Sequence, residues 1–233
     1  MTKRIWELDA LRGLCILGMV LVHLLYDLRI SGLMQEHLLL TVAQDWGGVL
    51  FLLLSGICVT LGRHHIRRGL LVFLCGLLCT GVTAGMYLLG MAGKGMIIYF
   101  GVLHCLGACM LLWGLFSRLP RWLLGVLGAG MVIVGLVYVR VTLLDFPWLI
   151  PLGFMFPGFS TSDYFPLLPN LGFFLLGAVL GRTLYRSKET LLPRVNPQWG
   201  PIRFLCLCGK HSLWIYLLHQ PILTGILAIS ELF

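Results

Sequence analysis

RIWELDALRGLCILGMVLVHLLYD, residues 4–27, has the length and apolarity of a membrane span, yet Asp9, Arg12, His23 and Asp27 lie among its leucines, isoleucines and valines. At 100° per residue the four fall within about 60° of one another, one polar stripe on a helix otherwise suited to lipid. Each ionisable group in a span costs on the order of 3 kcal/mol at the centre. A stripe of them therefore needs protein or water to face, and it marks the functional side of the helix.

The rest of the chain agrees with a membrane setting. Its 233 residues are 59% hydrophobic and 11% charged, far from a soluble domain. A span takes about 20 apolar residues, which gives an all-α integral membrane protein of about seven transmembrane helices. The expected spans are 8–28, 40–61, 69–89, 96–116, 122–139, 167–184 and 212–229, a single transmembrane domain over 1–233. The few residues ahead of the first span are too short for a cleavable signal, so that span is expected to be retained. Of seventeen Lys and Arg, thirteen lie at one set of ends, against Arg29, Lys94 and Arg140 at the other and Arg12 within a span. That asymmetry puts the N-terminus in the cytoplasm and the C-terminus outside. The net charge of +8 is then mostly a topology signal, and nucleic acid is not an expected partner. The eight cysteines sit in or beside apolar spans, as packing residues do, and no histidine pair joins them at ligand spacing, so no metal is expected.

Two connecting segments stand out. Residues 141–166 form an outer loop that is aromatic and apolar; Pro147, Pro151, Pro157 and Pro166 prevent one continuous helix, and the segment reads as a lid. Residues 185–210 are the longest polar stretch, a cytoplasmic loop. Between the second and third spans, Arg63 and Arg67 belong to a dense basic turn that anchors orientation and offers phosphate-binding charge.

Depth sorts the polar residues into two layers. Arg12, Ser55 and Ser212, with the basic turns, lie toward the cytoplasm; His23, Asp27, Asp45, His104, Asp163 and Asn170 lie toward the outside. On the last span Ser212, Tyr216 and His219 share one face at i, i+4 and i+7, and Pro221 frees the carbonyl near Leu217 beside His219. Arg12 and His23 are about 16 Å apart along their helix, enough to hold two ends of one elongated ligand. The chemistry this layout suggests is transfer across the membrane, with a phosphorylated donor at the arginines and a histidine base near the outer face, supported by Asp27 four residues on. The competing reading is that Asp9–Arg12 and His23–Asp27 only lower the cost of insertion. Among functional classes the alternative is a small transporter or flippase for a polar or lipid-linked substrate.

Five blocks, LDALRGLCILGMVLVHLLYDL, DW with FLLLSG, GVLHCLG, SDYFPLLPNLGFFLLGAVLG and GKHSLWIYLLHQPIL, resemble bacterial membrane proteins similar to the catalytic domain of heparan-α-glucosaminide N-acetyltransferase. The resemblance implies acyl-CoA, above all acetyl-CoA, bound from the cytoplasm, and transfer to an amine or hydroxyl of an extracytoplasmic sugar or glycoconjugate, in a bacterial cytoplasmic membrane. It implies His23 as the catalytic histidine, with Asp27 beside it, and Arg12 on the donor side, joined there by Arg63, Arg67 and Ser212. Asp45, His104, Asp163 and His219 are implied as site-lining residues, to which depth and helix face add Asn170 and Tyr216. The lysosomal relatives have asparagine at the position of His23 and a histidine in the following loop, where His37 is nearest in this chain; His23 is preferred because Asp27 supports it. An acetyl-histidine intermediate is the variant of direct attack, and the scaffold-like third and fifth spans leave room for a dimer contact.

Overall fold

The computed structural model describes residues 4–33, 35 and 38–230; within these, the side chains of residues 38–40, 44, 45, 228 and 230 are not described. His37 and the side chain of Asp45 therefore lie outside the described residues.

Among the described residues eight α-helices follow one another: α1 (Trp6–Ile30), α2 (Leu38–Leu61), α3 (His65–Leu88), α4 (Val102–Phe116), α5 (Arg121–Val137), α6 (Leu167–Leu184), α7 (Gly200–Lys210) and α8 (Ser212–Ser230). Their ends follow local chemistry. α1 carries Glu7 and Asp9 in its first turn and Arg29 in its last, charges that complement the helix dipole. Prolines 120 and 166 precede α5 and α6, where an absent amide proton costs nothing.

Among the described residues, five segments are long and apolar enough to cross a membrane: Trp6–Ile30, Thr41–Leu61, His65–Leu88, Arg121–Val141 and Leu167–Leu184. The expected seven exceed this because Val102–Phe116 and Ser212–Leu227 are apolar but shorter. At 15 residues, α4 is about 22 Å long, less than the thickness of a hydrocarbon core. It starts late because residues 94–96 form a 3₁₀ turn and Phe100 bridges to Tyr164 in extended conformation. The polar stretch 185–210, expected as a loop, ends in the helix α7, started by Pro201 in its first turn and seated by buried Cys206, Cys208 and Gly209.

The chain forms two compact units, one of residues 1–54 and 187–233, the other of residues 55–186. In the first, α7 and α8 pack on α1. α1 and α7 cross backbone to backbone: a Cβ on Gly13 would strike the Leu205 carbonyl, and one on Gly209 the Asp9 carbonyl. Glu7, buried, fastens the start of α1 by accepting from Thr190 Oγ1 (2.8 Å) and the Leu191 amide (2.7 Å). In the second, α3 packs on α4 and α5 on α6. Gly69, Gly107, Gly128 and Gly172 allow those close approaches, as small residues do between helices in lipid. Arg182 on α6 donates to the carbonyls of Ser117 and Leu119 and lies 5.0 Å over the Trp113 ring, which closes the open end of α4. Along α3, Leu70, Leu71, Leu74, Leu77 and Leu78 remain exposed, a surface made for lipid tails.

Candidate active site

The stripe on α1 meets a partner at each end. Toward the start of the helix, Asp9 pairs with Arg4 (Nε to Oδ2, 3.4 Å) and with Arg12 (Nη1 to Oδ1, 3.5 Å). The i,i+3 pair read from the sequence is therefore formed. Beside it opens a cavity of about 780 Å³ between α1 and α7, lined among others by Arg4, Trp6, Asp9, Arg203, Phe204 and Lys210. Three cations face one carboxylate there, with two aromatic rings alongside. Such a site suits an anionic ligand with a flat, stackable part. Burial pushes the Cys206 thiol in this wall up, with Asp9 adding to the shift and Lys210 opposing it, so it stands as a neutral thiol near pH 7.

Toward the other end, α8 brings His219 and Gln220 against His23 and Asp27. The rings of His23 and His219 meet edge to face, centroids 4.8 Å apart at 80°. Gln220 Nε2 donates to the Asp27 carboxylate at 3.1 Å and 3.4 Å. Asp27 is thus held by Gln220, and the His23 ring is held by the Met19 carbonyl, 2.9 Å from Nδ1. The i,i+4 spacing lets Asp27 either hold the His23 ring or support a positive charge on it; one helical turn apart on α1, the two side chains engage different neighbours on α8, His219 and Gln220.

Those contacts set the tautomers. A backbone carbonyl only accepts, so Nδ1 of His23 carries the proton and Nε2 the lone pair. The same holds in His219, whose Nδ1 donates to the Tyr216 carbonyl at 2.5 Å. His219 is buried, and its Nε2 has no hydrogen-bond partner. Gln220 Oε1 is likewise buried and unpartnered, its amide orientation fixed by the carboxylate it donates to. Orphaned buried polar atoms cost about 1–3 kcal/mol each, and His219 and Gln220 carry one apiece on successive residues.

The second unit gathers His104 and Asp163 around the start of α4. Asp163 Oδ2 accepts the Val102 amide at 3.1 Å, an N-cap supplied from 61 residues away in sequence. His104 Nδ1 accepts the Gly101 amide at 3.2 Å. Its Nε2 lies 3.3 Å from Thr80 Oγ1, which spends its own proton on the Ile98 carbonyl at 2.6 Å. Nε2 is therefore the donor, and both ring nitrogens are occupied. Gly76 leaves room for this ring; Phe73 and Phe100 flank it at 5.5 Å. Asn170 Nδ2 donates to the Pro166 carbonyl at 2.8 Å. In each of these contacts the partner is a group of the chain itself.

Among the expected donor-side residues, Arg12 lies beside the cavity through Asp9, Arg63 and Arg67 are exposed in the second unit, and Ser212 is half-buried at the start of α8. Reasoning from sequence missed Arg203 and Lys210, whose spacing of seven on the short amphipathic α7 was the available signal. It also missed Gln220, an amide inside an apolar span beside a histidine, a placement that calls for a partner. No disulfide joins any of the eight cysteines, and no group of three His, Cys, Asp or Glu side chains is arranged to hold a metal among the described residues.

The family model described as heparan-alpha-glucosaminide N-acetyltransferase, catalytic, matches residues 4–221. The chain belongs to this family. The matched range takes in the cationic cavity, His23, Asp27, His219 and Gln220. Membership in the heparan-α-glucosaminide N-acetyltransferase family, together with the apolar helices, makes the chain an integral membrane protein of an acyltransferase family. No curated protein and no solved structure matches it.

Proposed function

We propose that this chain is a membrane-embedded acyltransferase that moves an acyl group, acetyl, from cytoplasmic acyl-CoA to an amine or hydroxyl of an extracytoplasmic sugar or glycoconjugate. The N-terminus lies in the cytoplasm and the C-terminus outside, as the distribution of Lys and Arg favours, in a bacterial cytoplasmic membrane. The observation that carries the reading is the histidine seam between α1 and α8, where Nε2 of both rings is left to accept a proton.

The donor end supports it. The cavity at the start of α1 offers Arg4, Arg203 and Lys210 to phosphates and Trp6 and Phe204 to a purine ring, and Arg12 adds its charge through Asp9. From Asp9 to His23 is about 21 Å along α1, a span suited to an extended phosphopantetheine arm. In the reaction, His23 Nε2 takes the proton of the acceptor as its oxygen or nitrogen attacks the thioester carbonyl. The tetrahedral intermediate collapses, the C–S bond breaks, and the CoA thiolate takes the proton from His23. The Asp27 carboxylate, one turn along, stabilises the imidazolium that forms in between.

The purified protein, incubated with radiolabelled acetyl-CoA and glucosamine, is expected to yield labelled acetylated sugar and free CoA. His23→Ala is expected to lose at least about 100-fold of that rate. Failure to bind or consume acetyl-CoA, with His23→Ala no different from wild type, refutes the reading. Label retained on the protein in the absence of acceptor shows the acetyl-histidine route in place of direct attack.

A further inference from the structure

Beyond His23, the seam holds a base that direct attack leaves unused. His219 has its Nδ1 tied to the Tyr216 carbonyl, its Nε2 buried without a partner, and its ring against that of His23. The rings meet edge to face and no hydrogen bond joins them, so they are two proton acceptors and not one shared site. Next to His219, Gln220 turns its amide nitrogen to Asp27 and keeps Oε1 buried and unpartnered. Both atoms are acceptors, and an ammonium donates hydrogens.

We propose that His219 is a second catalytic residue, resting on the acyltransferase reading above: it strips the first proton from an acceptor that arrives as an ammonium. A primary ammonium must shed two protons to become an amide, one before it can attack and one as the new C–N bond forms. His219 Nε2 takes the first and leaves a neutral amine held by an N–H to Gln220 Oε1. The amine nitrogen attacks the thioester carbonyl, His23 Nε2 takes the second proton, and the C–S bond breaks. The thiolate leaves with the proton from His23, and the proton on His219 passes to water as product departs. An alcohol loses one proton only and has no use for the second base.

The test compares two acceptors in one preparation: glucosamine, largely an ammonium at neutral pH, and 4-aminophenyl glucoside, whose arylamine is already neutral. In His219→Gln, kcat/KM for glucosamine at neutral pH is expected to fall about fivefold further than that for the arylamine, and the gap is expected to close as rising pH supplies the free amine. Because both rates come from one sample, their ratio does not depend on the fraction of protein that folds; His219→Asn gives the same ratio should His219→Gln accumulate poorly. Equal loss on both acceptors reduces His219 to a structural residue and overturns the proposal, as does full activity on both. A wild-type protein that acetylates neither acceptor refutes the acyltransferase reading itself, an outcome distinct from either.

Discussion

Replacing Gly209 with alanine probes how the α1–α7 crossing builds the cationic cavity proposed to take the donor. A Cβ there would fall on the Asp9 carbonyl oxygen, far inside the 3.0 Å that real Cβ atoms keep, and would stand 3.0 Å from the Gly13 amide nitrogen. Every one of these neighbours is backbone, so no side chain can rotate away. The helices must part by on the order of 1 Å, which overpacking studies equate with about 1–3 kcal/mol. The cavity suffers more than the fold does. Arg4, Trp6 and Asp9 stand on or beside α1, and Arg203, Phe204 and Lys210 on α7, so parting the helices separates the cations that line the cavity. A loss of about 1.4 kcal/mol in binding is tenfold in affinity. Calorimetric titration with CoA should show a drop of about tenfold or more for Gly209→Ala, with a thermal transition lowered but present. Gly13→Ala, at the same crossing, should behave alike, and the double variant should be less than additive because one separation accommodates both. Gly209→Ala with wild-type affinity and wild-type melting refutes the view that this crossing shapes a ligand site.

Arg203→Ala and Lys210→Ala are each expected to weaken CoA binding by about 1 kcal/mol, more in low salt than in high, as titrations at two ionic strengths will read. Asp163→Ala removes the cap on α4 and should cost about 1 kcal/mol, with faster hydrogen exchange at the amides of residues 102–105 and unchanged CoA affinity. Tyr164 donates to the Ile150 carbonyl at 2.8 Å, and burial pushes its phenol above the ordinary 10. The fold thus prefers the neutral phenol, so this contribution is intact below pH 10 and is lost as pH rises further. Tyr164→Phe should cost about 1 kcal/mol at neutral pH and make the alkaline fall in stability shallower, measured by thermal unfolding across pH 8–12.

Much of the site was legible because it sits on one helix. Asp9, Arg12, His23 and Asp27 share a stripe whatever surrounds them, since 3.6-residue periodicity is local. His219 was legible for the same reason on α8. The roles were less so. His23 and Asp27 read as a pair at i,i+4, and the fold hands them to different partners, the Met19 carbonyl and Gln220. His104, two turns into an apolar span, carries the same sequence signal as His219. The structure separates them: both nitrogens of His104 are engaged, whereas Nε2 of His219 is buried and unpartnered.

From the sequence alone came the membrane class, the polar stripe and the family resemblance, because composition, periodicity and ordered motifs are properties of the chain itself. The tertiary structure decided that the His23 and His219 rings meet, that Gln220 completes the seam, and that α7 folds against α1 to form a cationic cavity. These depend on contacts between residues about 200 apart. No local rule sees them: a hydrogen bond's partner is chosen by whichever group packing brings within 3 Å, and only the folded chain makes that choice.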